Sequence, residues 1–583
     1  MRNGFTLIET LIAIAIFAIV AGGTYFAYLN VLDITIAAQL NSVGLTVIGN
    51  ELEIIRNIQY DSVGVQGGAP TGILLAEKNI NFSGFEFVLK TTVRNIDDPF
   101  DGVLGGVPND LAPADFKLVE LNLTCLSCGR FIPITSTTRV APANLESSSK
   151  NGNIFVHVLD ASGKPISGVD VEVVNTAVNP PINISDITGN NGQLQLVDIA
   201  TSSLAYEIAV SKAGYSSDQT YQSGDPDNPN PIKPHATVVS QQLTEIYFSI
   251  DRLSTQNLTT QDKFCQAIPD INFNQQGSKL IGTEPDILKY SVSDQTDLNG
   301  IKTNASIEWD NYTLTNTDPN YSLAGTSLLS PFNVNPNTNY NIKWLMEPTN
   351  GSSLMVAVQD GGEQFISDAD ISLTKTGFNE MKTSGHNIFS QTDWSGSQFS
   401  QKSANIDTSS PAGEIHLTDL GGGKYASLSL EWIESNTFDL GVPASFYNLS
   451  WNPTGQPAQS GPDSLKFQIA ANNDNLTWNY IGPDGSTATY YTNPDSAIFS
   501  GHNGNRYFRY KAYLITEDDG FTPKLEDVTI EFSSSCLPSG QSFFSGLADD
   551  SYTLTIEKPG FQNYTAPINI VGGWQEHRAI LLP

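Results

Sequence analysis

The chain has 583 residues, too many for one domain. Sixty-one Asp and Glu against 29 Lys and Arg leave a net charge of −32, which repels a phosphate backbone and excludes nucleic-acid binding as the main role. Only 15% of residues are charged, in a chain otherwise rich in Asn, Ser, Thr and Gly; that is the balance of a β-rich exported protein with many turns.

The first element is an apolar run. Residues 1–19 read MRNGFTLIETLIAIAIFAI, and from Phe5 to Leu29 the only charge is Glu9. As a helix, that run spans roughly 37 Å, enough to cross a bilayer core of about 30 Å. A secretory signal places its small-residue cleavage site after the apolar core. Here Gly4 precedes it, so cleavage there leaves the helix on the mature protein. An uncleaved signal anchor is the plain alternative, and length does not separate the two. Glu9 does, because a lone carboxylate in hydrocarbon costs several kcal/mol unless it is paired or near an end. In a chain that starts at Phe5, Glu9 lies near the positive end of the helix dipole. G-F-T-L-I-E-T behind Met1-Arg2-Asn3 closely resembles the N-terminus of type IV prepilins and pseudopilins. The resemblance implies cleavage between Gly4 and Phe5 by a prepilin peptidase, N-methylation of Phe5, and a Glu9 that serves filament assembly by pairing with the Phe5 amine of a neighbouring subunit.

Beyond Asn30, Leu32, Ile36, Leu40, Val43, Val47, Leu52, Ile55 and Ile58 keep near 3.6-residue spacing. One long helix to about Tyr60 is expected, with Gly22, Gly23, Gly44 and Gly49 as points of bending. Residues 80–150 then alternate in runs such as FEFVLKTTV and FKLVELNLTC, and the resemblance makes 61–150 a pilin-like β head. The turn with Asp97, Asp98 and Asp101 has the oxygen ligands calcium takes, although a solvated turn is the simpler reading. Cys125 and Cys128 lack the second ligand pair of a zinc site and the βαβ setting of a redox motif. With Cys265 and Cys536 they are disulfide candidates in an oxidising compartment, the pairing of the latter two being open.

An internal repeat follows. Residues 154–174, IFVHVLDASGKPISGVDVEVV, match 353–373, SLMVAVQDGGEQFISDADISL. AYEIAVSKAGY aligns with SYTLTIEKPGF without a gap. A third copy lies between them, with Asn-Gly as its turn signal. The pattern resembles carboxypeptidase regulatory-like and Cna-B-like β-sandwich modules, which are stalk units or binding platforms. The expected plan is a leader 1–4, a helix 5–60, a head 61–150, and β-sandwich repeats at 151–253 and 254–352. A third repeat is split into 353–384 and 539–583 by an inserted jelly-roll-like domain, 385–538. The class is therefore mainly β with one long N-terminal helix. In the insertion, Trp478, Asp484, Asn505 and Arg506 are candidate glycan contacts; aromatics at strand spacing are more often core. A turn at 473–475 is a second weak calcium candidate.

No nucleophile elbow, phosphate loop or H-E-x-x-H occurs, and the six histidines lack metal spacing, so no enzyme and no cofactor are expected. No second spanning segment follows Tyr60. The expectation is a single-pass precursor in the cytoplasmic membrane that passes to the cell surface or a filament. Its partners would be other pilin-like subunits, a prepilin peptidase, the membrane, and carbohydrate or a neighbouring cell surface. The alternative is a membrane-anchored carbohydrate-binding protein outside any filament.

Overall fold

The computed structural model describes residues 7–103, 106–125, 128, 131–143, 150–409 and 411–583, without the side chains of Glu9, Ser397 and Ala412. It is mainly β, with one long N-terminal helix followed by a series of β-sheet units.

Helix α1 (Leu7–Arg56) runs unbroken through all four glycines; at 1.5 Å per residue it is about 75 Å long. Its C-terminal part follows the apolar spacing: Leu40, Val47 and Ile55 are buried and Val43 and Leu52 partly buried, while Ile58, just past the helix end, is partly buried too. They pack on an antiparallel sheet in the order Glu77–Phe82, Phe85–Ile96, Phe116–Cys125, Ile134–Val140. Phe116–Cys125 alternates strictly, with Val119, Leu121 and Leu123 in the core. Leu32 and Ile36, on the same periodic face, are exposed because the head ends before them. Buried Lys117 ties the helix exit to the sheet, donating to the carbonyls of Tyr60 (2.9 Å) and Val63 (2.7 Å). That burial lowers its pKa.

Three units repeat one wiring. In each, a first strand lies between an antiparallel and a parallel neighbour. Gly152–Leu159 sits between Gln193–Ile199 and Leu243–Ser249. Ser254–Gln261 sits between Ile301–Ile307 and Asn339–Pro348. Ser352–Asp360 sits between Gln541–Leu547 and Trp574–Leu581. A second sheet in each is centred on Asp170–Asn175, Asn272–Gly277 or Asp370–Lys375. The turn after each first strand is closed by its own aspartate. Asp160 accepts from the N–H of residues 162 and 164, Asp262 from 264 and 266, and Asp360 from 362 and 364, all at 2.8–2.9 Å. Gly192, Gly300 and Gly540 hold φ between +65° and +71° where a Cβ would strike main-chain atoms of the strand that precedes this turn or of the turn itself.

In the third unit the chain leaves after Phe378–Thr383 and returns at Gln541–Leu547. The intervening segment forms a branched eight-stranded sheet and a three-stranded sheet. Trp394, Trp451, Phe467, Phe508 and Tyr510 fill its core. That core is continuous with the one around Trp344 in the middle unit. The Cys265–Cys536 disulfide, Phe264 stacked on Phe532 (6.0 Å), and Gln261 donating to the Cys536 carbonyl (3.1 Å) join the two. Gly441 has φ +75° and would place a Cβ 1.9 Å from the Phe264 carbonyl oxygen, so only glycine permits this approach.

His502 is 3% exposed and its Nε2 has no partner. Burial pushes its pKa down from 6.5 to about 4. The folded chain holds the imidazole neutral while the unfolded chain takes up a proton. The stability this gives is full above pH 6.5 and is lost as pH falls from 6.5 to about 4, a difference of roughly 3 kcal/mol. In His502→Leu the stability of the insertion is expected to lose its slope across that window. An unchanged slope in acid denaturation would count against this account.

Candidate functional site

The N-terminal residues come first. Gly4 and Phe5 lie outside the described residues, and Glu9 is placed in α1 without its side chain. Within α1, Thr10–Arg56 contains an 18-residue window of mean hydropathy 2.1, none of it buried. Leu11, Ile12, Ile16, Phe17, Ile19 and Phe26 all stand exposed. The hydroxyls of Thr10, Thr24 and Thr35 bond back to carbonyls three or four residues earlier, at 2.7–3.0 Å. Donors satisfied inside the helix suit apolar surroundings. An apolar helix exposed on every side does not stand alone in water.

A cleft of about 850 Å³ opens where the middle unit, the third unit and the insertion meet. Its floor is apolar, with Ala324, Leu345, Leu537 and Phe543 buried. On one wall, Lys263 donates to the Ile388 carbonyl (2.9 Å) and Lys382 to that of Phe543; Lys382 also pairs with Glu380 at 3.2 Å. Burial lowers the Lys263 pKa, with Glu347 opposing the effect and Lys382 adding to it. On the other wall His386 stacks on Tyr447 (3.8 Å). Its Nδ1 lies 2.8 Å from Glu531 and its Nε2 2.9 Å from Asp368. Burial acts to raise the Glu531 carboxyl. Hydrogen bonds from His386, Asn448 and Thr383 outweigh it and hold the group below its ordinary 4.5. None of these residues was a candidate in the sequence. They are spread from 263 to 543, and nothing local marks them.

The residues the sequence did nominate spend their polar groups internally. Asp484 closes its own turn onto Ser486 and Thr489. Arg506 is bidentate to Asp439 (2.6 and 2.8 Å), and Asn505 bonds Asn473 and the His502 carbonyl. Trp478 is half-buried beneath Arg509 (4.3 Å). Cys125 is bonded to Cys128. At 97–101, Asp98 accepts from the Phe100 N–H (3.3 Å); at 473–475, Asp474 accepts from Leu476 and Thr477. Among the described residues no group of three or more His, Cys, Asp or Glu side chains is placed to hold a metal ion.

Residues 1–25 match the prokaryotic N-terminal methylation motif. The start of the chain is therefore pilin-like: a type IV N-methylation motif leading into an exposed apolar helix. No curated protein matches the chain. Solved structures similar to parts of it include the Bacillus anthracis TIE protein, at 11% identity over 47% of this chain and 53% of that one, with a TM-score of 0.15. The chain thus spans about half the length of the TIE protein. The shaft pilin SpaA from Lactobacillus rhamnosus GG is 12% identical over 34% of this chain and 98% of its own, with a TM-score of 0.13. A Streptococcal ancillary pilin is 10% identical over 39% and 75%, with a TM-score of 0.18. Scores this low set no common fold for the whole chain.

Proposed function

We propose that this chain is a subunit of a type IV pilus-like filament or pseudopilus, held in a minor or tip position, that displays its β units for adhesion or spacing. We read the three repeated units as β-sandwiches of the carboxypeptidase regulatory-like kind. The observation that carries the proposal is the methylation motif joined to an apolar helix whose large apolar side chains stand exposed from Leu7 to Ile36, and that ends in a head packed only on its far third. Such a helix needs lipid before assembly and other helices after it. Glu9 within it needs a cationic partner, which the trimmed amine of a neighbouring Phe5 supplies. More than 500 residues follow α1. A body of that size is bulky for a subunit repeated at every filament position, which favours a minor or tip place.

The test is mass analysis of the N-terminus in protein sheared from cell surfaces. The expected mature chain begins at N-methylated Phe5, and Glu9→Ala is expected to stay in the membrane fraction while most of its recovery in the sheared fraction is lost. A mature chain that still begins at Met1, or a Glu9→Ala variant that assembles like the parent, overturns the reading.

A further inference from the structure

We infer that the three-unit cleft is a binding site for an extended, Lys- or Arg-bearing peptide segment of a partner protein. Its volume of about 850 Å³ lies within the range of real ligand sites. Three of its features select the ligand class.

The first is charge. Five carboxylates line it, those of Glu347, Asp370, Glu380, Asp495 and Glu531, against Lys263, Lys382 and His386. Both lysines already rest on main-chain carbonyls of the cleft itself, and Lys382 is also neutralised by Glu380. His386 is held by Glu531 and Asp368. The carboxylates left in excess attract a cation and repel an anion.

The second is shape at the rim. Strand Phe378–Thr383 pairs with Asp370–Lys375 on one side and, among the described residues, has no strand on the other. An open edge beside a cleft is a template onto which an extended segment adds main-chain hydrogen bonds.

The third is apolar anchoring. Met381 on that strand is 65% exposed and Ile388 across from it 47%, above a floor of Leu345, Leu537 and Phe543. Methionine adapts to varied side chains. Among the lining residues the only Phe, Tyr or Trp, Phe543, is buried in the floor, and one face of the His386 ring is covered by Tyr447, so the lining offers little platform for a sugar ring.

The assignment does not rest on the filament reading. A chain that never assembles binds the same peptide, and a filament subunit that ignores the peptide leaves assembly untouched. The test uses the full chain in detergent micelles, methyl-labelled at its four methionines. The probe is a blocked hexapeptide alternating lysine and valine, set against its glutamate–valine counterpart and a neutral oligosaccharide. The lysine peptide is expected to shift the Met381 methyl resonance and leave those of buried Met346 and Met355 in place. Glu347→Gln combined with Asp370→Asn is expected to weaken it about tenfold, while Asp484→Asn, in the remote turn, leaves it unchanged. Far-ultraviolet circular dichroism and the buried methionine resonances report whether the double variant is folded; if it is not, Glu347→Gln alone, which keeps the Met381 reporter, supplies the same reading. Equal binding of the glutamate peptide, a Met381 response to the oligosaccharide alone, no response to the lysine peptide up to about 1 mM, or undiminished affinity in the folded variants each overturns the assignment.

Discussion

Replacing Cys265 and Cys536 together by serine is expected to destabilise the body formed by the middle unit, the insertion and the third unit by about 5 kcal/mol. The disulfide joins residues 271 apart in sequence. Its main effect is on the unfolded chain, where it forbids the widest loop, and the loop-closure cost grows only with the logarithm of length. The folded body keeps its other joints. Lys263 and Gln261 still reach across to Ile388 and Cys536, and Gln541 still pairs in both directions with the main chain of Thr326 at 2.7 and 2.9 Å. Cys265 itself sits at φ +58°, held there by hydrogen bonds to Asp262. Serine keeps that backbone cost, so the comparison isolates the cross-link. Denaturant unfolding with Cys125–Cys128 intact is the measurement. The expected result is an earlier midpoint and a steeper dependence on denaturant, because the uncrosslinked chain exposes more surface. An unmoved midpoint would show that the cross-link does not constrain the unfolded chain.

Arg94→Ala is expected to loosen the joint between the head and the first repeated unit by about 3–5 kcal/mol. Arg94 Nε and Nη2 grip Asp186 at 2.6 and 2.5 Å, and Nη1 reaches Glu120 at 3.1 Å. The Asp186 side chain is only 5% exposed. Removing the guanidinium strands a buried carboxylate, which costs more than the intact pair contributes. Asn95 donating to the Val197 carbonyl (3.0 Å) and Asn183 N–H donating to Gly67 (2.5 Å) remain but carry no charge. A double-mutant cycle with Asp186→Ala isolates the coupling. The pair of changes is expected to cost less than Arg94→Ala alone, and Arg94→Lys to recover only part of the loss, since an ammonium lacks the planar fork. Additive losses would place the joint's strength elsewhere.

The fold class was legible because burial follows period. Phe116–Cys125 alternates, and Leu40, Val47 and Ile55 recur at helical spacing. The N-terminal motif was legible because its residues are adjacent. Asp160 and Asp360 stood in the sequence inside the matched repeat, whereas Asp262 and the hydrogen-bond pattern common to all three needed coordinates. The cleft was not legible. Lys263, Lys382 and Glu531 come together only because a sheet edge, a returning strand and an insertion fold onto one another. The glycan candidates were picked for chemical type, and sequence does not reveal that Asp439 already occupies Arg506.

The point where the third unit opens has a further meaning. Gly385 N–H donates to the Gln541 carbonyl (2.8 Å) and Ser542 to that of Thr383 (3.1 Å), so the outgoing and incoming ends lie side by side. In the first unit the same position is the tight bend at Gly189–Gly192, closed by hydrogen bonds of 2.8 and 2.9 Å. The same wiring therefore closes over five residues in one copy and over a whole folded cargo in another. Each copy carries a socket of this kind, into which evolution or an engineer can graft an interchangeable cassette without rewiring the strands around it.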